Sequence, residues 1–211
     1  MIIAVDGPAA SGKGTIARAL AKHYGLPHLD TGLLYRAVAA TVLREELDPT
    51  KEADGVAASG FDDHLLDDPW LRTDEVGKVA SVVSAHPLVR AALLARQKRF
   101  ANQEGGAVLD GRDIGTVIAP EAEVKLFVKA TPTIRAQRRH LELRKQGVMT
   151  SLDKVLADIR ARDERDAKRS EAPMVQAPDA VLLDTSFLSI DAAIQRAIGL
   201  VEARRAAAAA G

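Results

Sequence analysis

Nine consecutive residues, Gly7-Pro8-Ala9-Ala10-Ser11-Gly12-Lys13-Gly14-Thr15, have the types and order needed to cradle a chain of phosphates. Glycines let the backbone curl so that successive N–H groups point inward and form an anion-binding nest. Lys13 adds a mobile cation suited to β- and γ-phosphates, and a hydroxyl close behind it can face a Mg2+ ion. In this chain the hydroxyl is displaced by one position, because Gly14 follows Lys13 and Thr15 comes next. The surroundings complete the signature of a P-loop. Ile2-Ile3-Ala4-Val5 is a β-branched run with the pattern of a buried strand, and Thr15 to Tyr24 shows helical spacing through Ile16, Ala19, Leu20 and His23. A phosphate on this loop would sit at a helix N-terminus, where the backbone dipoles favour negative charge.

A second constellation is basic. Arg135, Arg138, Arg139 and Arg144 fall in one segment, and Arg160, Arg162, Arg165 and Arg169 in another, in a chain whose formal net charge is zero. Clustering of this kind in a neutral protein means either a local anionic ligand or local Asp and Glu partners. Asp158 and Asp166 each stand four residues from Arg162, the spacing of side-chain pairs on a solvated helix, so both readings are open. The enzyme classes separate on these features. No Asn-Lys-x-Asp run is present, which argues against a Ras-like GTPase. A motor ATPase needs a longer domain and arginine fingers from neighbouring subunits. A kinase that phosphorylates a phosphate must neutralise two polyanions brought together, and it draws arginines from several segments to do so. A nucleotide-dependent switch is the alternative from another class, and it does not require a separate arginine set.

These side chains need a scaffold to position them. The 211 residues, 47% hydrophobic and 27% charged, suit one globular domain with a sizeable core. His28-Leu29-Asp30, Ala107 to Asp110, Val124 to Val128 and Ala180 to Leu183 read as further strands. Helical patterns run from Gly32 to Leu47 (Leu34, Val38, Val42, Leu43), from about Thr73, after Pro87 (Leu88, Ala91, Ala92, Ala95), after Thr131-Pro132 to Gly147, from Ser151 to Ala167, and from Ser189 (Ile190, Ala193, Ile194, Ala197). The tail from Ala206 to Gly211 is expected to fray. Short strands, apolar on both faces and alternating with helices, predict an α/β architecture: a five-stranded parallel sheet flanked by helices in a P-loop NTPase fold. Residues 48–72 are acidic, turn-rich and weakly periodic, the composition of an excursion from the core. The chain has no cysteine, which excludes disulfides and thiolate metal sites. Its first residues lack a basic segment, so no signal peptide is expected, no apolar stretch has spanning length, and the cytoplasm is the expected compartment. Zero net charge gives no argument for nucleic-acid or membrane partners.

At this point the sequence resembles the bacterial cytidylate kinases, within the nucleoside monophosphate kinase group, along nearly its whole length. The segments that carry the resemblance are Val5-Asp6-Gly7-Pro8 with the P-loop and its Gly-Lys-Gly-Thr form, Leu29-Asp30-Thr31-Gly32 with Tyr35-Arg36, and Ala80-Ser81 followed by Pro87-Leu88-Val89-Arg90. Two more are Asp110-Gly111-Arg112-Asp113-Ile114-Gly115-Thr116-Val117 and Arg162-Asp163-Glu164-Arg165-Asp166 with Arg169. The resemblance implies transfer of the γ-phosphate of ATP, with Mg2+, to CMP or dCMP, and a monomer is expected because such a site needs no partner. The resemblance implies an acceptor-binding insertion at approximately 37–104, but this chain departs from the family there: residues 48–72 are short, acidic and poor in alternating β-branched residues, so a reduced, helical or loop-like insertion is expected where the family often has a small hairpin. It also implies a lid at approximately 140–170, with Arg144 to Thr150 closing over ATP.

Residue roles follow from the same resemblance. Arg36, Arg112 and Arg169 would hold the acceptor phosphate, for which the planar guanidinium fork is suited. Ser81, Arg90 and Asp113 would read the cytosine edge. A carboxylate at Asp113 can accept from the N4 amino group and would reject uracil, which presents an oxygen there. Asp113 could instead pair with Arg112 or Arg90, and Ser81 could be an ordinary helix serine. Arg162 and Asp166 would contact the sugar hydroxyls, and Thr31 keeps a hydroxyl where the family commonly has serine. Gly7 to Thr15 and Arg135 would bind ATP, Arg135 by stacking on adenine. Lys13, Arg112, Arg139 and Arg169 would carry catalysis, with Arg138 competing for the role of Arg139. Thr15 and Asp110 would face the metal, although Asp110 could equally be a structural strand-end aspartate. His64, Trp70 and His86 are expected to be structural.

Overall fold

The computed structural model describes residues 1–169 and 172–210. The chain divides into two compact units, Met1–Leu29 with Phe100–Gly211, and Asp30–Arg99.

Strands β1 (Ile2–Asp6), β2 (His28–Asp30), β3 (Ala107–Gly111), β4 (Val124–Lys129) and β5 (Val181–Asp184) form one sheet in the order β2-β3-β1-β4-β5. The pairs β1/β3, β1/β4 and β4/β5 are parallel, and Val5 lies opposite both Asp110 and Leu126. This is the α/β sheet that the short, doubly apolar strands predict. The central strands β1 and β3 are buried on both faces apart from the first residue of β1, whereas the edge strand β5 alternates and leaves Leu182 exposed. β5 starts one residue later than predicted and includes Asp184.

In this unit the helices are α1 (Lys13–Tyr24), α6 (Pro132–Lys145), α7 (Leu152–Ala167) and α8 (Ile190–Ala209). The core joins Ile3, Val5, Leu20, Val108, Leu126 and Val201. Each such fully buried side chain stabilises by about 1.5–3 kcal/mol relative to exposure. Helix α1 buries Ile16, Ala17, Leu20 and Ala21, not the predicted Ala19 and His23, because the buried stripe is turned around the helix toward Ala17 and Ala21. Gly25 ends it in the left-handed conformation, as the Gly25-Leu26-Pro27 signal predicts. Thr131, Ser151 and Ser189 cap α6, α7 and α8 with their hydroxyls. Helix α8 buries Ala193, Ala197 and Val201, while the predicted Ile190 is 67% exposed. Its end also differs from expectation. The alanine run continues the helix to Ala209, since alanine is the strongest helix former and needs no packing partner to keep the pattern. Gly211 lies outside the described residues.

The second unit is built on α2 (Thr31–Arg44), α3 (Glu52–Ala57), α4 (Asp74–Val83) and most of α5 (Pro87–Ala101). Between α3 and α4 the chain makes three short 3-10 turns, and residues 31–106 contain no strand. Helix α2 stops three residues short of the predicted Leu47. Glu46 adopts a positive φ of 54°, and the Leu47 N–H returns to the Val42 carbonyl. A non-glycine residue closing a helix this way leaves no glycine signal to read. The apolar face predicted for α5 is wrong: Leu88, Ala91, Ala92 and Ala95 face solvent, and Val89, Arg90, Leu93 and Gln97 are buried. The Thr73 hydroxyl caps α4. His86 donates from Nε2 to the Pro49 carbonyl (2.9 Å), and Arg44 lies over the Trp70 ring, 5.1 Å from its centre. Among the described residues no single helix is long and apolar enough to cross a membrane.

Candidate functional site

The loop between β1 and α1 is shaped by its own backbone. Gly7 has φ 150°, and a Cβ there would stand 2.0 Å from the Val128 carbonyl oxygen, so only glycine fits against β4. Ala10 and Gly12 also take positive φ, 58° and 92°. Gly12 caps α1 without a side-chain hydrogen bond, and the first turn of α1 holds no acidic residue. The later helices of the same unit have hydroxyl caps. Here the N–H groups of the first turn are left for an anion. Lys13 reaches back to the Pro8 carbonyl at 3.5 Å, and the Ser11 hydroxyl is buried without a hydrogen-bond partner.

Asp6, the residue before this loop, is one that sequence reasoning passed over. Its two carboxylate oxygens accept the N–H groups of Ile114 and Gly115, each at 2.8 Å. Those residues open a π-type turn, Ile114–Ile118, in which the Ile118 and Ala119 N–H groups return to the Asp113 and Ile114 carbonyls. Asp113 is buried at the head of the turn (4% exposed). Burial pushes the Asp6 carboxyl up to about 7, aided by the nearby Asp113 charge. The two N–H groups and Lys13 act in the opposite direction. A carboxyl raised in the folded state contributes stability that is fully present at low pH and is lost as pH rises through the folded value. The unfolding free energy should therefore fall between about pH 4 and about pH 7, and the D6N variant should lack this slope. Parallel urea-denaturation profiles for the two proteins would show that Asp6 titrates ordinarily.

A buried carboxylate also organises the arginines. Asp166 is 1% exposed, accepts from Arg112 Nε at 2.7 Å, and pairs through its other oxygen with Arg169. Burial works to raise its pKa, but the charges of Arg112, Arg169 and Arg162 and the Arg112 hydrogen bond outweigh it and hold the carboxyl below its usual value. Four of the predicted acceptor residues are thus gathered around one point. The solvated-pair reading holds elsewhere on α7: Arg160 and Arg165 face outward, while Asp158 lies near Lys154 (4.0 Å) rather than Arg162.

On α6 the arginines differ in kind. Arg135 is buried, donates to the Ala130 and Ala9 carbonyls, and makes a two-pronged pair with Asp163 (2.9 and 2.5 Å). In this arrangement it braces the phosphate loop and α7. Arg138 donates to the Ser11 carbonyl at 3.3 Å and to both oxygens of Thr185, whose hydroxyl itself donates to Ser11 O at 2.8 Å. Arg139 lies beside Glu142 at 3.3 Å and is partly exposed. Asp110 is the penultimate residue of β3 and lies beside the phosphate loop. One oxygen is 2.7 Å from His28 Nε2, and the other faces Gly14, whose Cβ would lie 3.5 Å away. The Thr15 hydroxyl is exposed and lies 3.5 Å from Arg18 Nη2.

In the second unit Arg36 projects from α2 and donates to the Leu71 and Thr73 carbonyls at 2.6 and 3.0 Å. Arg90 lies over the ring of Tyr35 and donates to the Ser84 carbonyl at 3.2 Å. Ser81 is buried on α4, and Thr31 is buried at the first position of α2. Thr31, Arg36, Ser81 and Arg90 therefore fall within one unit, while Arg112, Asp113, Arg162, Asp166 and Arg169 belong to the other.

Comparison with known proteins agrees with this chemistry. A family model described as cytidylate kinase matches residues 3–203. A cytidylate kinase from Xanthobacter autotrophicus is 62% identical over 206 residues, covering 98% of this chain and 99% of that protein. One from Rhodopseudomonas palustris is 58% identical, covering 98% of each. Among solved structures, an uncharacterized protein from Eubacterium ventriosum superposes with a TM-score of 0.53 at 15% identity, covering 96% of this chain and 98% of that one. A gluconokinase from Sinorhizobium meliloti gives 0.51 at 17%, covering 97% and 93%. These two likenesses concern the fold. From the phosphate loop to the last helix, this chain belongs to the cytidylate kinase family.

Proposed function

We propose that this protein transfers the γ-phosphate of ATP to CMP or dCMP, giving ADP and CDP or dCDP. The observation that carries this reading is a guanidinium set organised on Asp166 and not on the phosphate loop. A switch that only holds a nucleotide has no use for it. The loop from Gly7 to Thr15 grips the triphosphate through backbone N–H groups and Lys13. Arg36, Arg112 and Arg169 hold the acceptor phosphate, Arg162 and Asp166 the sugar, and Ser81, Arg90 and Asp113 the base, with Thr31 supplying a hydroxyl. An anionic phosphate oxygen attacks the γ-phosphorus in line, so no general base is required. The work of the protein is positioning and charge neutralisation by Lys13 and the arginines.

Thr15 and Asp110 are hard oxygen donors suited to Mg2+, which when bound neutralises charge on the transferring phosphates. No group of three His, Cys, Asp or Glu side chains among the described residues could form a full protein cage, which fits an ion held largely by nucleotide and water. Of the α6 arginines, Arg139 is assigned to the transferring phosphate and Arg135 to the support of the loop that binds ATP. The proposal includes a monomer working in the cytoplasm on small nucleotides, because every group it invokes comes from one chain.

A coupled assay with ATP and CMP, dCMP, UMP or AMP tests the reading. Turnover with CMP or dCMP well above UMP and AMP is expected, and comparable turnover of AMP with none of CMP overturns the base assignment. Replacing Asp113 with Asn should shrink the CMP-to-UMP ratio of kcat/KM by ~10-fold or more, since one lost base contact is worth about 1–3 kcal/mol. An unchanged ratio would remove Asp113 from base reading.

A further inference from the structure

Gly77 lies on α4, one helical turn before Ser81, and both residues are buried. Its flank is occupied by the guanidinium of Arg36. A Cβ added at Gly77 would stand 2.7 Å from Arg36 Nη2, 3.1 Å from Nη1 and 3.2 Å from Cζ. The three distances together describe a planar group lying against the bare Cα of the helix. Arg36 cannot simply lean away with its bonds intact, because Nη1 also donates to the Leu71 and Thr73 carbonyls at 2.6 and 3.0 Å. Those carbonyls flank the last 3-10 turn and the cap of α4, so the surface that fixes the arginine and the helix that would displace it are one piece of structure.

Glycine in the middle of a helix is ordinarily a liability, since it loses more backbone freedom on folding than alanine. The backbone of Gly77 is ordinary helix, with no positive φ to justify it. The reason for glycine is therefore steric, and the group it makes room for is a single charged side chain.

We infer that Gly77 is a positioning residue that seats the Arg36 guanidinium for the acceptor phosphate, so that acceptor affinity depends on the missing methyl group. The inference rests on the proposed role of Arg36. Phosphate recognition by a guanidinium depends on the angle and place of its planar fork. A shift of several tenths of an ångström against two carbonyls alters both. The contacted atoms are the far end of a flexible side chain, so the protein can fold around the methyl group by moving the arginine rather than the helix.

The test is Gly77→Ala, Arg36→Ala and the double variant, assayed with ATP and CMP. Gly77→Ala should leave Tm within ~2–4 °C of the parent, because the helix preference of alanine offsets the disturbed Arg36 hydrogen bonds. It should raise KM for CMP about tenfold while leaving KM for ATP near the parent value, a magnitude equal to one good hydrogen bond to a charged group. In the Arg36→Ala background the same substitution should have no further effect on KM for CMP, because the group it displaces is gone. A parental KM for CMP in Gly77→Ala, or equal losses in both backgrounds, overturns the inference. If Arg36→Ala itself leaves CMP use unchanged, the role assigned to Arg36 fails instead, which separates the two ideas. Should Gly77→Ala fail to fold, the double variant must fold, since removing the guanidinium opens the space, and failure of both overturns the inference.

Discussion

Lys13→Ala is expected to lower kcat by ~10²–10³-fold, the range observed when one preorganised charge-stabilising group is removed from a transfer site. Lys13 stands at the start of α1, where the uncapped N–H groups already favour anions, and it is the cation nearest the phosphates in the proposed arrangement. In the same proposed arrangement, backbone N–H groups supply much of the grip on the ground-state nucleotide. The loss should therefore fall on kcat more than on KM for ATP. A stopped-flow single-turnover measurement separates chemistry from product release. Loss confined to KM would show that Lys13 only helps to bind. The same substitution removes a charge that lowers the pKa of Asp6, so its carboxyl should titrate still higher in the variant.

Asp166→Ala should be the most destabilising single change in the proposed site, by ~3–5 kcal/mol, because it leaves the buried ends of Arg112 and Arg169 without their shared counter-charge. That is a large share of the ~5–15 kcal/mol that typically separates folded from unfolded protein. Asp166→Asn keeps an acceptor and should lose less. Urea denaturation followed by circular dichroism gives the free energies, and a loss below ~1 kcal/mol for alanine would show that the arginines find other partners. Acid behaviour provides a second check. A carboxyl depressed in the folded state stabilises above its unfolded value, and that contribution disappears as pH falls through the folded one. The parental protein should accordingly lose stability more steeply than D166N below about pH 4.

The parts of the molecule that follow local rules were legible in the sequence. The loop from Gly7 to Thr15 announces itself because backbone curl, cation and helix start are adjacent in the chain, and Thr131, Ser151 and Ser189 mark helix starts for the same reason. The strands were legible because residues covered on both faces must be apolar throughout. Helix α5 was misread because alanine is compatible with either face, while two buried polar residues, Arg90 and Gln97, disguise the true one. The supporting roles were hidden for a different reason. Asp6 meets Ile114 across 108 residues, Thr185 meets Ser11 across 174, and Asp163 meets Arg135 across 28. A partner at such separation is chosen by the fold, and nothing in the local spacing points to it.

The carboxylate of Asp6 has a consequence for how the molecule breathes. It is joined covalently to the first glycine of the phosphate loop and holds the two amides that follow Asp113. A fluctuation that frees the turn must disturb the end of β1, and one that unseats β1 must release the turn. The two segments are therefore a single cooperative opening unit, guarded from solvent exchange together and surrendered together.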